Sequence, residues 1–416
     1  MTEHMTNLHC FAWLLCLACL AAANSSNGQA PATFETPGPV DAAKFVPAKW
    51  MSSEHHRVAP EAWHDGLLNT YTLTTDSGAV PVMGTQSLLI RIRETEAVTK
   101  LRQMSKTKEF GKALAKAGED KLESAVDLVS DPIGTVKKIP QGASRFFGRI
   151  GESMKGGKAK GETGAAGSVL GVRKKKAELA LQLGVSAYSS NEELQRELNR
   201  AARAMAAGAL VVNVAGMAVD GGASTVLSVV GVNQTLHDTL VNSTPEDLQA
   251  MGRKQLRELG AAPELTEEFL MNPWFSPWQE AAVAEGLKGI GVNPTAFLAV
   301  AKTAQTEADA RYFVQLVRLY SKHHGDIAPL KGFQIEQGIL CALDARGTLV
   351  VAVSLDYAIW SERMAMRAAE FASLAKPEGP IKSVMLVVDG RLSERAAREL
   401  LQRDITSSAF TLGSWQ

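Results

Sequence analysis

Two aspartates near the end of this 416-residue chain each follow a predicted strand, which is where a catalytic carboxylate would be useful. Asp356 follows the apolar run Thr348–Leu355, and Asp389 follows the apolar run Ile381–Val388. Ligand sites of parallel α/β sheets gather at the carboxyl ends of strands, so a hydrolase-type site here is one hypothesis. Asp389 with the following glycine is also ordinary turn chemistry, and no further carboxylate and strand lysine complete a nuclease-like metal set. The sequence therefore identifies no catalytic residue, and a protein without enzymatic activity is the preferred interpretation.

A short N-terminal stretch gathers side chains of the kinds that bind zinc. Imidazole and carboxylate groups are zinc-type ligands, but their spacing here matches neither HExxH nor paired ligands two residues apart. A solvated polar loop is the better interpretation, and we expect no metal and no cofactor. The side chains concerned are Glu54, His55, His56, Glu61, His64 and Asp65.

Motifs for phosphate loops and serine hydrolases are also missing from the sequence. The glycine-dense run Gly161–Gly171 lacks the Gly-Lys-Ser/Thr ending and the preceding strand of a phosphate loop. The chain contains no Gly-x-Ser-x-Gly elbow. A binding or interaction protein is therefore the preferred class, and a hydrolase is the alternative.

The strongest local signal is a positively charged segment at residues 131–173. Residues 133–176 contain eleven Lys and Arg residues and two glutamates, and eleven minus two leaves a net charge of +9. Apolar and aromatic side chains are interleaved with the cations, as in segments that lie at a membrane interface and meet anionic lipid. A solvated basic loop packed on a neighbouring domain is the alternative, because Pro140 and Gly142 interrupt any helix there. The residues predicted to bind a membrane or another anionic partner are Lys137, Lys138, Arg145, Phe146, Phe147 and Arg149.

The N-terminus predicts that the chain is exported. Phe11–Ala23 is an uncharged apolar run with the length of a signal-peptide core, shorter than the roughly 20 residues that span a bilayer. Small residues precede Asn24, so residues 1–23 are interpreted as a signal peptide, and the periplasm or cell envelope of a bacterium as the destination. The positive charge usual before such a core is missing. An unusual apolar N-terminal helix is one alternative, and a lipoprotein modified at Cys19 is another.

Charge and cysteine content limit the partners of the chain. The 44 Lys and Arg residues balance 44 Asp and Glu residues, which argues against a general nucleic-acid binder. Removal of the signal would leave Cys341 as the only cysteine, in an apolar run typical of a buried, inert thiol. The mature chain then forms no intramolecular disulfide. An anionic membrane surface or an envelope protein is the predicted partner.

Hydrophobic periodicity predicts a mainly helical α+β fold. An N-terminal β-hairpin, Asn69–Thr75 and Ala79–Met83, precedes a long helix that starts near Thr85. A β-β-α-β-α-β order, with a turn at Asp344–Gly347, closes the chain as a small α/β domain with some parallel pairing. The predicted organisation is a signal peptide at 1–23, a disordered linker at 24–48, the hairpin and long helix at 49–130, a basic glycine-rich linker at 131–173, a central helical domain at 174–325 and the α/β domain at 331–416.

Three local patterns refine the central domain. Ser190 and Glu193 have the spacing of a capping box. The stretch Asn272–Trp278 is interpreted as a helix–helix corner packed by its aromatic side chains, with an exposed recognition surface as the alternative. The apolar stretches 204–219 and 223–232 favour a buried hairpin over membrane insertion, because neither is long enough to span a bilayer.

Three segments of the chain resemble a family of uncharacterised exported bacterial proteins. They are Tyr188-Ser189-Ser190-Asn191, Asn272-Pro273-Trp274-Phe275-Ser276-Pro277 and Leu355-Asp356-Tyr357 with Trp360. The resemblance covers most of the mature chain. It implies export, and it implies no activity, cofactor or catalytic residue.

Overall fold

A computed structural model of the chain describes residues 34–108, 110, 112, 165–207 and 234–410. Within these residues, helices combine with antiparallel and mixed sheets, which confirms the predicted α+β class. The predicted signal peptide, residues 113–164 of the chain and the stretch 208–233 lie outside the described residues.

The N-terminal part of the described chain is an antiparallel sheet. The predicted hairpin is confirmed, since β4 and β5 pair from Thr70 with Met83 to Thr75 with Gly78. The other edge of β4 pairs with β3 and then with β2, and β3 pairs with β1. The elements are β1 (Gly38–Asp41), α1 (Ala48–Met51), β2 (His56–Val58), β3 (Glu61–His64), β4 (Asn69–Thr75) and β5 (Gly78–Met83).

The predicted disordered linker at 24–48 is wrong for its described C-terminal part. Residues Gly38–Asp41 form β1, and Ala42 and Val46 are buried in the core of the N-terminal sheet. The proline- and alanine-rich composition suggested a linker, but β1 gains its backbone partners from β3, about 23 residues further along the chain.

A long helix follows the hairpin, as predicted. It is α2 (Thr85–Ser105), and it buries Leu88, Leu89 and Ile92 against the N-terminal sheet. Its next turns bury Ala97, Val98 and Leu101 in a different core, formed mainly by the central helices. One helix therefore joins the N-terminal sheet to the helical layer.

The central region is a layer of helices. The proline at the start of α6 is preceded by Thr244, whose side chain and Asp247 form a capping box. At α4 the predicted cap is one residue off, because Asn191 accepts from the backbone N–H groups of Glu193 and Leu194. The helices are α3 (Ala165–Leu183), α4 (Glu192–Ala206), α5 (Gln234–Asn242), α6 (Pro245–Glu258), α7 (Pro263–Leu270), α8 (Pro277–Ile290), α9 (Thr295–Ala301) and α10 (Glu307–Asp326).

The C-terminal region is a mixed sheet in the order β12-β10-β8-β7-β6. Strands β8, β10 and β12 are parallel, and β6, β7 and β8 form an antiparallel meander. The elements are β6 (Leu330–Glu336), β7 (Ile339–Asp344), β8 (Thr348–Val353), β9 (Tyr357–Ala358), α11 (Glu362–Ala372), β10 (Ser383–Val388), β11 (Arg391–Leu392), α12 (Glu394–Leu401) and β12 (Ile405–Ala409).

This sheet has one strand more than the predicted order. The apolar run expected to be a single strand is split into β6 and β7 by a turn at Gln337 and Gly338. Both residues have positive φ, 50° and 75°, as a two-residue hairpin of type I′ requires. The short pair β9 and β11 was also not predicted.

Helices cover both faces of the C-terminal sheet. On one face Leu340, Val350 and Val387 pack into the same core as the central helices. On the other face Leu349, Val384 and neighbouring residues pack with α11 and α12. The central helices and the sheet therefore share a continuous core, with polar groups gathered where the parallel strands end.

Candidate functional site

Asp356 lies beyond the carboxyl end of β8 and binds backbone groups of the N-terminal sheet. Its Oδ2 accepts from the Asn69 N–H at 2.8 Å, and its Oδ1 accepts from the Thr85 N–H at 2.9 Å. Thr85 is the first residue of α2, and Gly84 before it offers no side-chain cap. Asp356 thus caps a helix 271 residues away in sequence. Burial raises the pKa of this carboxyl.

Asp389 follows the neighbouring strand β10, and its side chain binds the loop after β8. It accepts from the Ser354 hydroxyl at 2.6 Å and from the Leu355 N–H at 2.8 Å. Burial raises the pKa of Asp389, against the opposing effect of the Arg318 guanidinium. Both carboxylates of the hydrolase hypothesis are therefore engaged in holding loops and a helix end together. We assign them structural roles, and the hydrolase hypothesis loses the residues on which it rested.

The loops at this sheet edge approach each other closely at Gly390. A Cβ atom at this position would lie 2.1 Å from the carbonyl oxygen of Leu355 and 2.6 Å from that of Asp356. Real Cβ atoms do not approach backbone oxygen so closely, so only glycine fits. The glycine after Asp389 is thus required by packing between the loops, and this was not apparent from its turn chemistry.

A chain of buried polar side chains continues from Asp356 into the N-terminal sheet. The Asn69 side chain contacts His64 Nδ1 at 3.0 Å and donates to the Tyr71 hydroxyl at 2.9 Å. The Tyr71 hydroxyl lies 2.6 Å from Thr85 Oγ1. Burial, followed by the charge of Asp356, raises the pKa of Tyr71 to about 12. Only 2 % of His64 is exposed, and its Nδ1 is engaged with Asn69 while its buried Nε2 has no hydrogen-bond partner, so this chain of contacts stabilises the junction and has no access to a substrate.

The N-terminal histidines are separated by the fold. His56 contacts Ser53 Oγ and the Trp50 carbonyl, while His55 lies 3.5 Å from Asp76. His64 belongs to the polar chain beside Asn69. Within the described residues, no group of three or more His, Cys, Asp or Glu side chains is arranged to hold a metal ion.

Two predictions about buried side chains are confirmed. The corner at 272–278 is packed, with Phe275 and Trp278 buried and the Asn272 amide donating to the carbonyls of Lys302 and Ala304. Cys341 is fully buried, and burial raises its pKa to about 12, so the thiol stays protonated and inert. No disulfide is present among the described residues.

A buried ionic cluster joins α2, the start of α4 and α10, and sequence reasoning missed it. Glu94 is 2 % exposed and accepts from Arg91 at 2.7 Å and from the Ser189 hydroxyl at 2.5 Å. The Ser190 hydroxyl donates to Glu307, which also pairs with Arg311 at 2.7 Å. Ser190 is predicted only as a capping residue and Ser189 has no predicted role, and no sequence signal ties either serine to a partner about 100 residues away.

The predicted anion-binding residues Lys137, Lys138, Arg145, Phe146, Phe147 and Arg149 lie outside the described residues. Only the end of the basic segment and the cations after it are described, on α3. Lys175 pairs with Glu178 at 2.7 Å, while Lys176 is 3 % exposed. Lys174 is exposed. The cations Arg173–Lys176 are therefore part of the folded helical layer.

Comparison of the chain with known protein families, with curated proteins and with solved structures finds no match. Across the described ranges, no helix has the length and apolar character needed to cross a membrane.

Proposed function

We propose that this chain is an exported binding protein that associates peripherally with an anionic membrane surface through its basic segment, residues 131–173. The observation that carries the proposal is the charge of residues 133–172, where seven Lys and Arg residues minus two Glu residues leave +5, interleaved with aromatic and aliphatic side chains. Each Lys or Arg close to an anionic membrane contributes about 1 kcal/mol, so four such residues provide a useful affinity.

The anchoring of this segment supports the proposal. Before the segment, the described chain extends beyond α2 to residue 112, and buried Phe110 lies 5.5 Å from the Arg200 guanidinium of α4. After residues 113–164, the described chain resumes at Ala165, the start of α3, which packs on α4 as a helical hairpin. The described chain on either side of residues 113–164 thus belongs to one folded layer, which would hold the basic segment beside a surface.

Fractionation of cells that produce the tagged full-length chain tests the proposal. We expect a mature form that starts at Asn24, found with the membranes and released by a wash at high salt, because electrostatic attraction to a surface is screened by ions. N-terminal sequencing of the released protein establishes the cleavage site.

The other outcomes are informative. A processed protein that remains in the soluble fraction would contradict membrane association and keep export. An unprocessed cytoplasmic chain would contradict both. Salt-releasable association that persists after protease treatment of the membranes identifies lipid as the partner, and its loss after that treatment identifies an envelope protein.

A further inference from the structure

A cavity of about 200 Å³ lies in the helical layer, between α3, the turn before α4 and the corner that joins α5 to α6. It is smaller than the roughly 300–1,000 Å³ of pockets that hold drug-sized molecules. A small group such as a phosphate fits this volume. The polar part of its lining includes Arg173, Lys174, Lys176, Tyr188, Ser243 and Thr244.

The lining is positively charged. Arg173, Lys174 and Lys176 contribute three cations, and no Asp or Glu side chain is among the described residues of the lining. Glu246, Asp247 and Glu280 stand outside the lining, and burial raises the pKa of Glu280, which favours its neutral form. Glu246 is 3.7 Å from Arg173 with its side chain 59 % exposed, and Asp247 accepts from the Thr244 N–H and hydroxyl. The charge inside the cavity favours an anion.

Rigid hydroxyl donors complement the cations. The Tyr188 ring packs edge-on against Trp278 at 5.6 Å, and burial raises the pKa of its phenol, so the hydroxyl keeps its proton. Ser243 adds a hydroxyl group beside the start of α6, whereas the Thr244 hydroxyl already donates to Asp247. Phosphate oxygens accept hydrogen bonds from hydroxyl, ammonium and guanidinium groups alike.

A second depression, on the surface of α6, provides a contrast. It is open to solvent and is lined by Ala250, Arg253, Lys254, Arg257 and Glu258. Both of its guanidinium groups already bind Glu267, with Arg253 at 2.6 Å and Arg257 at 2.9 Å. Its guanidinium groups are thus engaged by one carboxylate and Glu258 belongs to its lining, so it is less positive than the lining of the first cavity.

From this arrangement we infer that the cavity at Arg173, Lys174, Lys176 and Tyr188 is a binding site for a phosphate group. The group belongs either to free inorganic phosphate or to the head of a phospholipid. The site lies in the described helical layer, and its existence does not depend on membrane binding by residues 131–173.

Titration calorimetry of the full chain with inorganic phosphate, at constant ionic strength, tests the inference. We expect saturable binding, weakened at least tenfold in Lys174→Gln and further in Arg173→Gln/Lys174→Gln. Both residues are at least partly exposed, so these variants should fold. Tyr188→Phe removes only a hydroxyl and should weaken binding several-fold.

Lys175→Gln is the matched control. It makes the same charge change one residue away, at a lysine that pairs with Glu178 and does not line the cavity. Binding should be unchanged in this variant. The inference would be overturned if Lys174→Gln and Lys175→Gln weakened binding equally. It would also be overturned if the wild type bound no phosphate at about 20 mM.

A soluble short-chain phosphatidic acid, titrated below the concentration at which it forms micelles, separates the two sources. Binding at least tenfold tighter than that of inorganic phosphate, and equally sensitive to Lys174→Gln, assigns the site to a lipid head. Comparable affinities assign it to free phosphate. Removal of the cations at 137, 138, 145 and 149 should leave phosphate binding intact, so failure of the membrane proposal is distinguishable from failure of this site.

Discussion

Replacing Gly390 by alanine is expected to destabilise the protein by about 2–4 kcal/mol, because the new methyl group has no space. Its Cβ would lie 2.1 Å from the Leu355 carbonyl oxygen, which belongs to backbone and cannot move aside as a flexible side chain could. The loop after β8 must then shift, and with it Asp356 and its hydrogen bonds. Urea unfolding of the variant and the wild type measures the difference.

Gly289→Ala is the control for this experiment. Gly289 lies on the exposed side of α8, with nothing within 4 Å of the position of an added Cβ. Alanine is favoured over glycine inside a helix by up to about 1 kcal/mol, so this variant should be neutral or more stable. If Gly390→Ala were as stable as Gly289→Ala, the close approach of the two loops would be wrong.

Asp356→Ala is expected to lower the free energy of unfolding by about 2–4 kcal/mol. The aspartate binds the N–H groups of Asn69 and Thr85, and its removal leaves two partly buried donors without their acceptor. It also removes a negative charge from the N-terminus of α2, where the helix dipole favours one. Urea unfolding, together with hydrogen exchange at residues 69 and 85, measures the effect.

Asp326→Ala provides the comparison for this loss. Asp326 makes an exposed pair with Lys322 at 2.9 Å, and such pairs contribute about 0.3–0.5 kcal/mol. Similar stability changes in the two variants, or unchanged exchange at residues 69 and 85 in Asp356→Ala, would contradict the capping role. The result also bears on the hydrolase hypothesis, because a residue that holds two regions together is a poor candidate for catalysis.

Sequence reasoning succeeded where the determining contacts are local. The hairpin of β4 and β5 has turn chemistry and alternating apolar residues within fifteen residues. The start of α6 is set by Thr244 and the three residues after it. In both cases neighbouring residues supply all the hydrogen bonds that define the element, so the pattern is readable in one sequence.

The same reasoning failed where the partner is distant. Strand β1 looks like a linker because its apolar residues are few, and its strand character comes from pairing with β3. Asp356 reads as a strand-end carboxylate, yet its function is to cap a helix 271 residues earlier. Ser190 has the spacing of a helix cap, while its hydroxyl donates to Glu307, and the neighbouring Ser189 hydroxyl donates to Glu94. Such contacts depend on the tertiary fold and leave no periodicity in the sequence.

The end of β6 illustrates a third kind of error. The run Phe333–Leu343 is apolar enough to predict one strand, and only Gln337 and Gly338 interrupt it. A glycine at the second position of a two-residue turn is a hairpin signal, but Gln is unusual at the first position, where φ is positive. The extra turn places β6 beside β7 and completes the face that packs on the helical layer.

Titration of the processed chain with lipid vesicles tests most directly whether the basic segment binds an anionic surface. The wild type should bind vesicles that contain anionic lipid, bind neutral vesicles weakly, and lose affinity as salt rises. Lys137→Gln, Lys138→Gln, Arg145→Gln and Arg149→Gln together should lower the affinity by about a hundredfold or more, at about 1 kcal/mol per cation. A control variant with the same charge loss at exposed lysines, Lys254, Lys288, Lys322 and Lys331, should bind nearly as well as the wild type. Unchanged binding in the first variant, or equal losses in both, would contradict the proposed function.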